Sequence, residues 1–238
     1  MKWVLSNLDT IGDDTVAHLA IAIPPIIIAF LLSIPIGWLV VRLRRPGARR
    51  LSSGVGGGIV TFAGLLYAVP SLPLFIALPG LIGTGLQDPV NIVIGLTLYG
   101  LALMVRSTVD GLGSVDPATT SAATAMGYSG AQRFFRVDLP LAGPVLLAGL
   151  RVVSVSTISL TTVGAVLGVQ SLGSLFTDGI GRNIPEEIVA GVVMVLVLAF
   201  AIDGLLVLLG RIVMPWTRRS APSKRAARRV LQSAEVSA

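Results

Sequence analysis

Five apolar stretches, each long enough to cross a lipid bilayer, alternate along this chain with short segments that hold most of its arginines. A bilayer core takes about 20 apolar residues in helical form, and backbone polar groups at that depth must find partners within protein. The chain is therefore expected to be all-α and integral to a membrane. Charged residues make up 13% of it and hydrophobic residues 53%, against about 25% charged in a soluble domain. That is too little polar surface to face water everywhere. No polar linker divides the sequence, so a single membrane domain is expected.

The spans are read as follows. The first runs from Ala17 to Val41 and contains Pro24, Pro25 and Pro35, which membrane helices tolerate. Arg42, Arg44, Arg45, Arg49 and Arg50 follow at once. The second covers Gly54 to Ile82 and is too long for one straight helix. It is expected to be helical to about Val69 and irregular or kinked over Pro70–Phe75. The third runs from Val90 to Val105, the fourth from Leu141 to Val169 and the fifth from Ile188 to Val213. Cytoplasmic loops are enriched in Lys and Arg. Five spans put the clusters after spans one, three and five on one side, so the N-terminus is expected outside and the C-terminus inside. Dividing Gly54–Ile82 into two spans would destroy that asymmetry. Residues 1–16 are read as an outer segment without a signal-peptide pattern, 17–214 as the transmembrane domain, and 215–238 as a basic, disordered cytoplasmic tail.

Several chemistries are excluded by residue counts. The chain has no Cys and one His, His18, so thiolate and multi-histidine metal sites are absent. It has two lysines, Lys2 and Lys224, and neither ends a Gly-rich phosphate loop. Gly54-Val55-Gly56-Gly57-Gly58 lacks that lysine and reads as close helix packing. The net charge of +6 sits in topology signals beside spans and does not imply nucleic acid.

The segment 107–138, expected in the cytoplasm, is the most informative. Asp116-Pro117 reads as a helix N-cap and first helical residue, followed by a body of small, uncharged residues that Gly127 would stop. Ser129 with Gln132 three residues on reads as a capping box, and Leu139-Pro140 opens the next span. So short a helix does not persist alone and must pack on this chain or on a partner.

Ser121-Ala122-Ala123, Gly127 and Val137-Asp138-Leu139-Pro140 resemble the cytoplasmic signature of ABC-importer permeases: Glu-Ala-Ala, three residues, Gly, nine residues, Ile, one residue, Leu-Pro. The spacing matches throughout, with Ser121 in place of Glu and Val137 in place of Ile. Pro70-Ser71-Leu72-Pro73-Leu74-Phe75, Val115-Asp116-Pro117-Ala118, Arg133–Leu141, Gly149-Leu150-Arg151 and Ser171-Leu172-Gly173 are similar to the subgroup that takes up glycine betaine, carnitine, choline and related osmoprotectants. The resemblance spans about Val55 to Gly210. It implies a permease in the bacterial inner membrane, paired with a second copy or a paralogue, two ATP-binding cassette ATPases that hold the ATP and Mg, and an extracytoplasmic binding protein. The chain itself is expected to bind no cofactor and catalyse no reaction. ATPase coupling would fall to Asp116, Pro117, Ser121, Ala122, Ala123, Gly127, Val137, Leu139 and Pro140. Permeases for methionine, sulfonates or phosphonates share the same core.

The remaining residues carry weaker signals. Tyr67 and Tyr99 could pass a quaternary ammonium by cation–π contact, and with Pro70, Ser71, Thr161 and Thr162 they form the candidate path. Hydroxyls crowd the fourth span but usually bond backbone carbonyls. Asp203 is an intramembrane carboxylate, expected to be paired or near a cavity. Arg151 is expected to snorkel or pair, and His18 to lie at an interface. A secondary transporter would carry internal repeats or more deep charges, and an intramembrane enzyme would need a catalytic set that cannot be assembled here.

Overall fold

The computed structural model describes residues 2–44 and 50–220; much of the basic tail, with Lys224, Arg225, Arg228 and Arg229, lies outside them. Among the described residues every regular element is helical: α1 Lys2–Ser6, α2 Leu8–Leu43, α3 Arg50–Ala68, α4 Ser71–Ile82, α5 Pro89–Gly113, α6 Pro117–Ala125, α7 Gly130–Arg133, a π-helical turn Phe134–Asp138, α8 Leu139–Thr161, a 3₁₀ segment Thr162–Leu167, α9 Ser174–Arg182, α10 Pro185–Val213 and a 3₁₀ turn Pro215–Ser220. Four helical runs are long and apolar enough to cross a membrane, and a fifth is formed if the bent pair α3–α4 counts as one span.

The bend in that pair is 104°. The irregular backbone expected over Pro70–Phe75 contracts to Val69 and Pro70, because Pro70 takes an extended conformation (φ −63°, ψ 135°) and serves as the N-cap of α4. Its fixed φ suits a cap, and the proline at Pro73 falls in the first turn, where no donor is needed.

Helix boundaries extend beyond the apolar runs. α2 starts at Leu8, ahead of Ala17, since Asp14 and His18 are buried with partners inside the protein. α5 continues past Arg106 to Gly113, and its last two turns bury Thr108, Val109, Gly111 and Leu112. The segment 107–138 is therefore not all connecting chain. α9 occupies the loop expected between spans four and five and ends at Asn183 in the left-handed conformation (φ 56°).

α5 is the central helix, with α2 and α8 packed on it. Close approach of α2 and α5 needs small residues. A Cβ on Gly37 would lie 2.5 Å from Thr108 Cγ2, and one on Gly100 would lie 2.7 Å from the Ala29 methyl. α10 is peripheral. It buries only Glu187, Ala190, Gly191 and Gly210, so it meets the bundle near its two ends, with Gly191 against Phe176 and Gly210 against Leu147.

Candidate functional site

The short helix α6 forms as its sequence dictates. The Asp116 carboxylate accepts from the Ala118 N–H at 2.8 Å, and Pro117 occupies the first helical position. Beyond the C-cap Met126, Gly127 takes φ +86° and turns the chain. Ser129 and Gln132 complete a reciprocal capping box. Within α6 only Ala123 is buried, while Asp116, Pro117, Ser121, Ala122 and Gly127 are exposed. Packing on this chain accounts for one methyl group, too little to hold a nine-residue helix by itself.

What α6 does contact is the root of α8. Arg133 donates from Nε to Asp138 at 3.2 Å and from Nη1 to the Thr124 hydroxyl at 3.5 Å, so one guanidinium ties the short helix to the Leu139-Pro140 junction. Pro140 has no N–H, and its ring would press on the carbonyl four residues earlier. The helix widens ahead of it, and the Leu139 N–H bonds the Phe134 carbonyl five residues back. A π turn keeps the chain helical where a sharp kink would otherwise form. Residues Gly130–Leu167 consequently form one continuous run. Val137, Leu139 and Pro140 are half-buried at this joint.

At the broken span Tyr67, Tyr99, Pro70 and Ser71 come together. The Tyr99 ring is buried and its hydroxyl donates to the Val69 carbonyl at 2.5 Å. That carbonyl would ordinarily receive the N–H of residue 73, which is a proline, so the bend leaves it without a helical donor. Tyr67 packs edge-to-face on Tyr99 at 5.9 Å and is itself exposed, and Phe75 approaches Tyr99 at 6.5 Å. Thr161 and Thr162 bond their own helix, through the carbonyls of Thr157 and Ser159, and Thr161 is fully buried. The two tyrosines should separate by experiment. Tyr99→Phe is expected to destabilise the protein by about 0.5–1.5 kcal/mol, the net worth of a typical hydrogen bond. In thermal unfolding in detergent, Tyr67→Ala should cost only the exposed half of an aromatic pair, about 0.5–1.5 kcal/mol, and it should act chiefly on transport.

Three further contacts join elements far apart in sequence. Arg151 and Asp203 form a two-pronged ion pair between α8 and α10, at 2.6 and 2.7 Å. His18 Nε2 lies 3.0 Å from the Ile158 carbonyl. The Thr162 N–H has shifted to Ser159 and Leu160 as the helix tightens to 3₁₀, leaving that carbonyl free for the imidazole, which donates to it. At the same end, Gln170 donates to Asp14 at 3.0 Å, and Arg182 pairs with the buried Glu187. His18 is thus fully buried within the protein.

This architecture, with a broken span, an exposed short helix and a continuous helical run rooted beside it, has the fold of importer permeases. The MetNI methionine ABC transporter in an inward-facing conformation superposes with a TM-score of 0.75 at 18% identity, over 87% of this chain and 98% of that one. The fold is that of a multi-pass helical membrane protein. Residues 14–219 match the model of the binding-protein-dependent transport system inner membrane component, and the chain belongs to that family. It is similar to the osmoprotectant import permease protein OsmW of Salmonella typhimurium, with 32% identity over 87% of this chain and 93% of the relative. It is also similar to the glycine betaine/carnitine/choline transport system permease protein OpuCB of Bacillus subtilis, with 26% identity over 90% and 95%.

Proposed function

We propose that this chain is the membrane-spanning subunit of an ATP-driven importer for osmoprotectants such as glycine betaine, carnitine, choline or proline. The observation that carries the ATPase part of this reading is the exposure of α6. It is a capped helix with the signature spacing, linked to the root of α8 by Arg133, and among the described residues it is left exposed apart from Ala123. Its small side chains let a partner surface approach closely. Asp116, Pro117, Ser121, Ala122, Ala123 and Gly127 form the docking element for one of two ATPase subunits. Val137, Leu139 and Pro140 form the joint through which movement of the ATPase reaches α8. ATP and Mg are held by those subunits, and this chain binds no cofactor.

The substrate class rests on the near full-length similarity to osmoprotectant permeases. The N-terminus lies outside, where a binding protein delivers substrate. α6 lies in the cytoplasm, as does the basic tail from Pro215 onward. A second copy or a paralogue covers the exposed faces of α3 and α4, and the path runs beside Tyr67, Pro70 and Ser71.

Uptake of labelled glycine betaine into vesicles that hold this chain with its ATPase and binding protein tests the reading. Uptake is expected to need ATP and both partners. ATP-independent uptake would make the chain a secondary carrier. ATP-dependent uptake of methionine or a sulfonate in place of betaine would keep the importer and replace the substrate.

A further inference from the structure

We propose that the groove between the end of α2 and the π turn binds an anionic phospholipid, with its phosphate on Arg42 and an acyl chain along Trp38 and Phe135. The groove encloses about 610 Å³ and is lined by Ile34, Trp38, Arg42, Arg133, Phe134 and Phe135. Its floor is a ladder of rings. Trp38 meets Phe134 edge-on at 6.2 Å, and Phe134 meets Phe135 at 5.1 Å. Phe134 is buried, but Phe135 is 66% exposed, a large apolar surface at the membrane-proximal root of a span. The rim is cationic. The Arg42 guanidinium stacks over Trp38 at 5.2 Å and forms no ion pair among the described residues. Arg133 engages Asp138 and Thr124 through Nε and Nη1, and its Nη2 meets no described acceptor.

The two halves of the groove fit the two halves of one molecule. An unpaired guanidinium with a second beside it favours a phosphate, through charge-assisted hydrogen bonds. The aromatic floor, at the depth where tryptophan marks the membrane–water boundary, favours hydrocarbon. Ile34 also lines a neighbouring cavity of about 420 Å³ walled by Leu146, Leu150 and Leu206, which extends the apolar surface toward the bilayer centre. A soluble anion would leave the ring ladder in water, and a zwitterionic lipid would bring its own cation to the two arginines. The site adjoins the Arg133 link between α6 and α8, so the lipid seats where the docking element meets the span.

Trp3, Trp38 and Trp216 are the tryptophans of the chain, so a Trp3→Phe/Trp216→Phe variant of the full chain isolates Trp38. In phosphatidylcholine nanodiscs, the measurement compares quenching of its fluorescence by phosphatidylglycerol brominated on its acyl chains with quenching by equally brominated phosphatidylcholine at the same mole fraction. Severalfold stronger quenching by the anionic lipid is expected. Arg42→Gln should remove the preference, while Arg44→Gln, outside the groove, should leave it. Equal quenching by both lipids overturns the proposal, since Trp38 would then face ordinary bilayer. Preference lost equally in both variants also overturns it, since the attraction would be a general surface charge. Absence of quenching by either lipid would mean that protein covers the groove, and the proposal fails. The measurement needs no transport, so it is independent of the substrate assigned above.

Discussion

Gly127→Asp is expected to abolish ATP-dependent uptake while the protein still inserts and folds. Gly127 sits at φ +86°, and a Cβ there would meet no atom of this chain within 4 Å. The substitution therefore leaves the interior untouched. It adds strain, because a residue with a side chain pays about 1–2 kcal/mol in the left-handed region. On the docking proposed above, it also places a carboxylate at the end of the helix that would meet the ATPase. An uncompensated charge inside an interface costs about 2–5 kcal/mol, at least about thirtyfold in affinity. Co-purification with the ATPase should fail, while detergent melting stays within a few degrees of the wild type. Normal ATPase binding by the variant would remove Gly127 from the docking surface.

The second large effect concerns Arg151 and Asp203. Each single substitution, Arg151→Leu or Asp203→Leu, strands a charge within a span, whereas the double substitution strands none. Both side chains are partly exposed on this chain, so the cost comes from the membrane, where an unpaired charge is costlier than an apolar side chain. Each single variant is expected to lower the melting midpoint by more than about 5 °C, a shift readily resolved for a chain of this size, with the double variant nearer to wild type than either. Additive losses would mean that the two side chains act separately. α10 meets the bundle near its ends, so the pair supplies its main polar tie in between, and the single variants should also loosen α10 in hydrogen exchange.

What could be read from the sequence was local chemistry. The apolar runs announced the spans, Asp116-Pro117 and Ser129–Gln132 announced their caps, and Pro70 and Pro73 announced the break. Each depends on residues within one turn of one another. What escaped needed the folded chain. His18 looked interfacial because its partner, the Ile158 carbonyl, lies 140 residues away and is freed only by the 3₁₀ tightening that follows it. Tyr99 suggested a cation contact, yet its hydroxyl serves a carbonyl left open by the bend, 30 residues earlier. Asp203 was expected to pair or lie near a cavity and Arg151 to snorkel or pair, but their spacing gave no hint that they pair with one another. The start of α2 was missed because Asp14 reads as solvent-facing until Gln170 is known to reach it. The signs were present in retrospect: a proline at position 73 leaves the carbonyl of residue 69 without a donor, and a tyrosine in a neighbouring span is a reasonable candidate to supply one.

The helical run from Gly130 to Leu167 has a mechanical consequence. His18 bonds it at Ile158, roughly 42 Å from the Gly130 end at 1.5 Å per residue and about 16 Å from the other, where the 3₁₀ segment rises about 2 Å per residue. A stiff rod held off-centre is an unequal lever. A pivot there would carry the Gly130 end through about two and a half times the arc of the Leu167 end, in the opposite sense. A broad stroke beside α6 would then be geared down to a fine displacement next to Gln170 and Asp14 at the far end. Moving the fulcrum would change the gearing without altering either end of the rod.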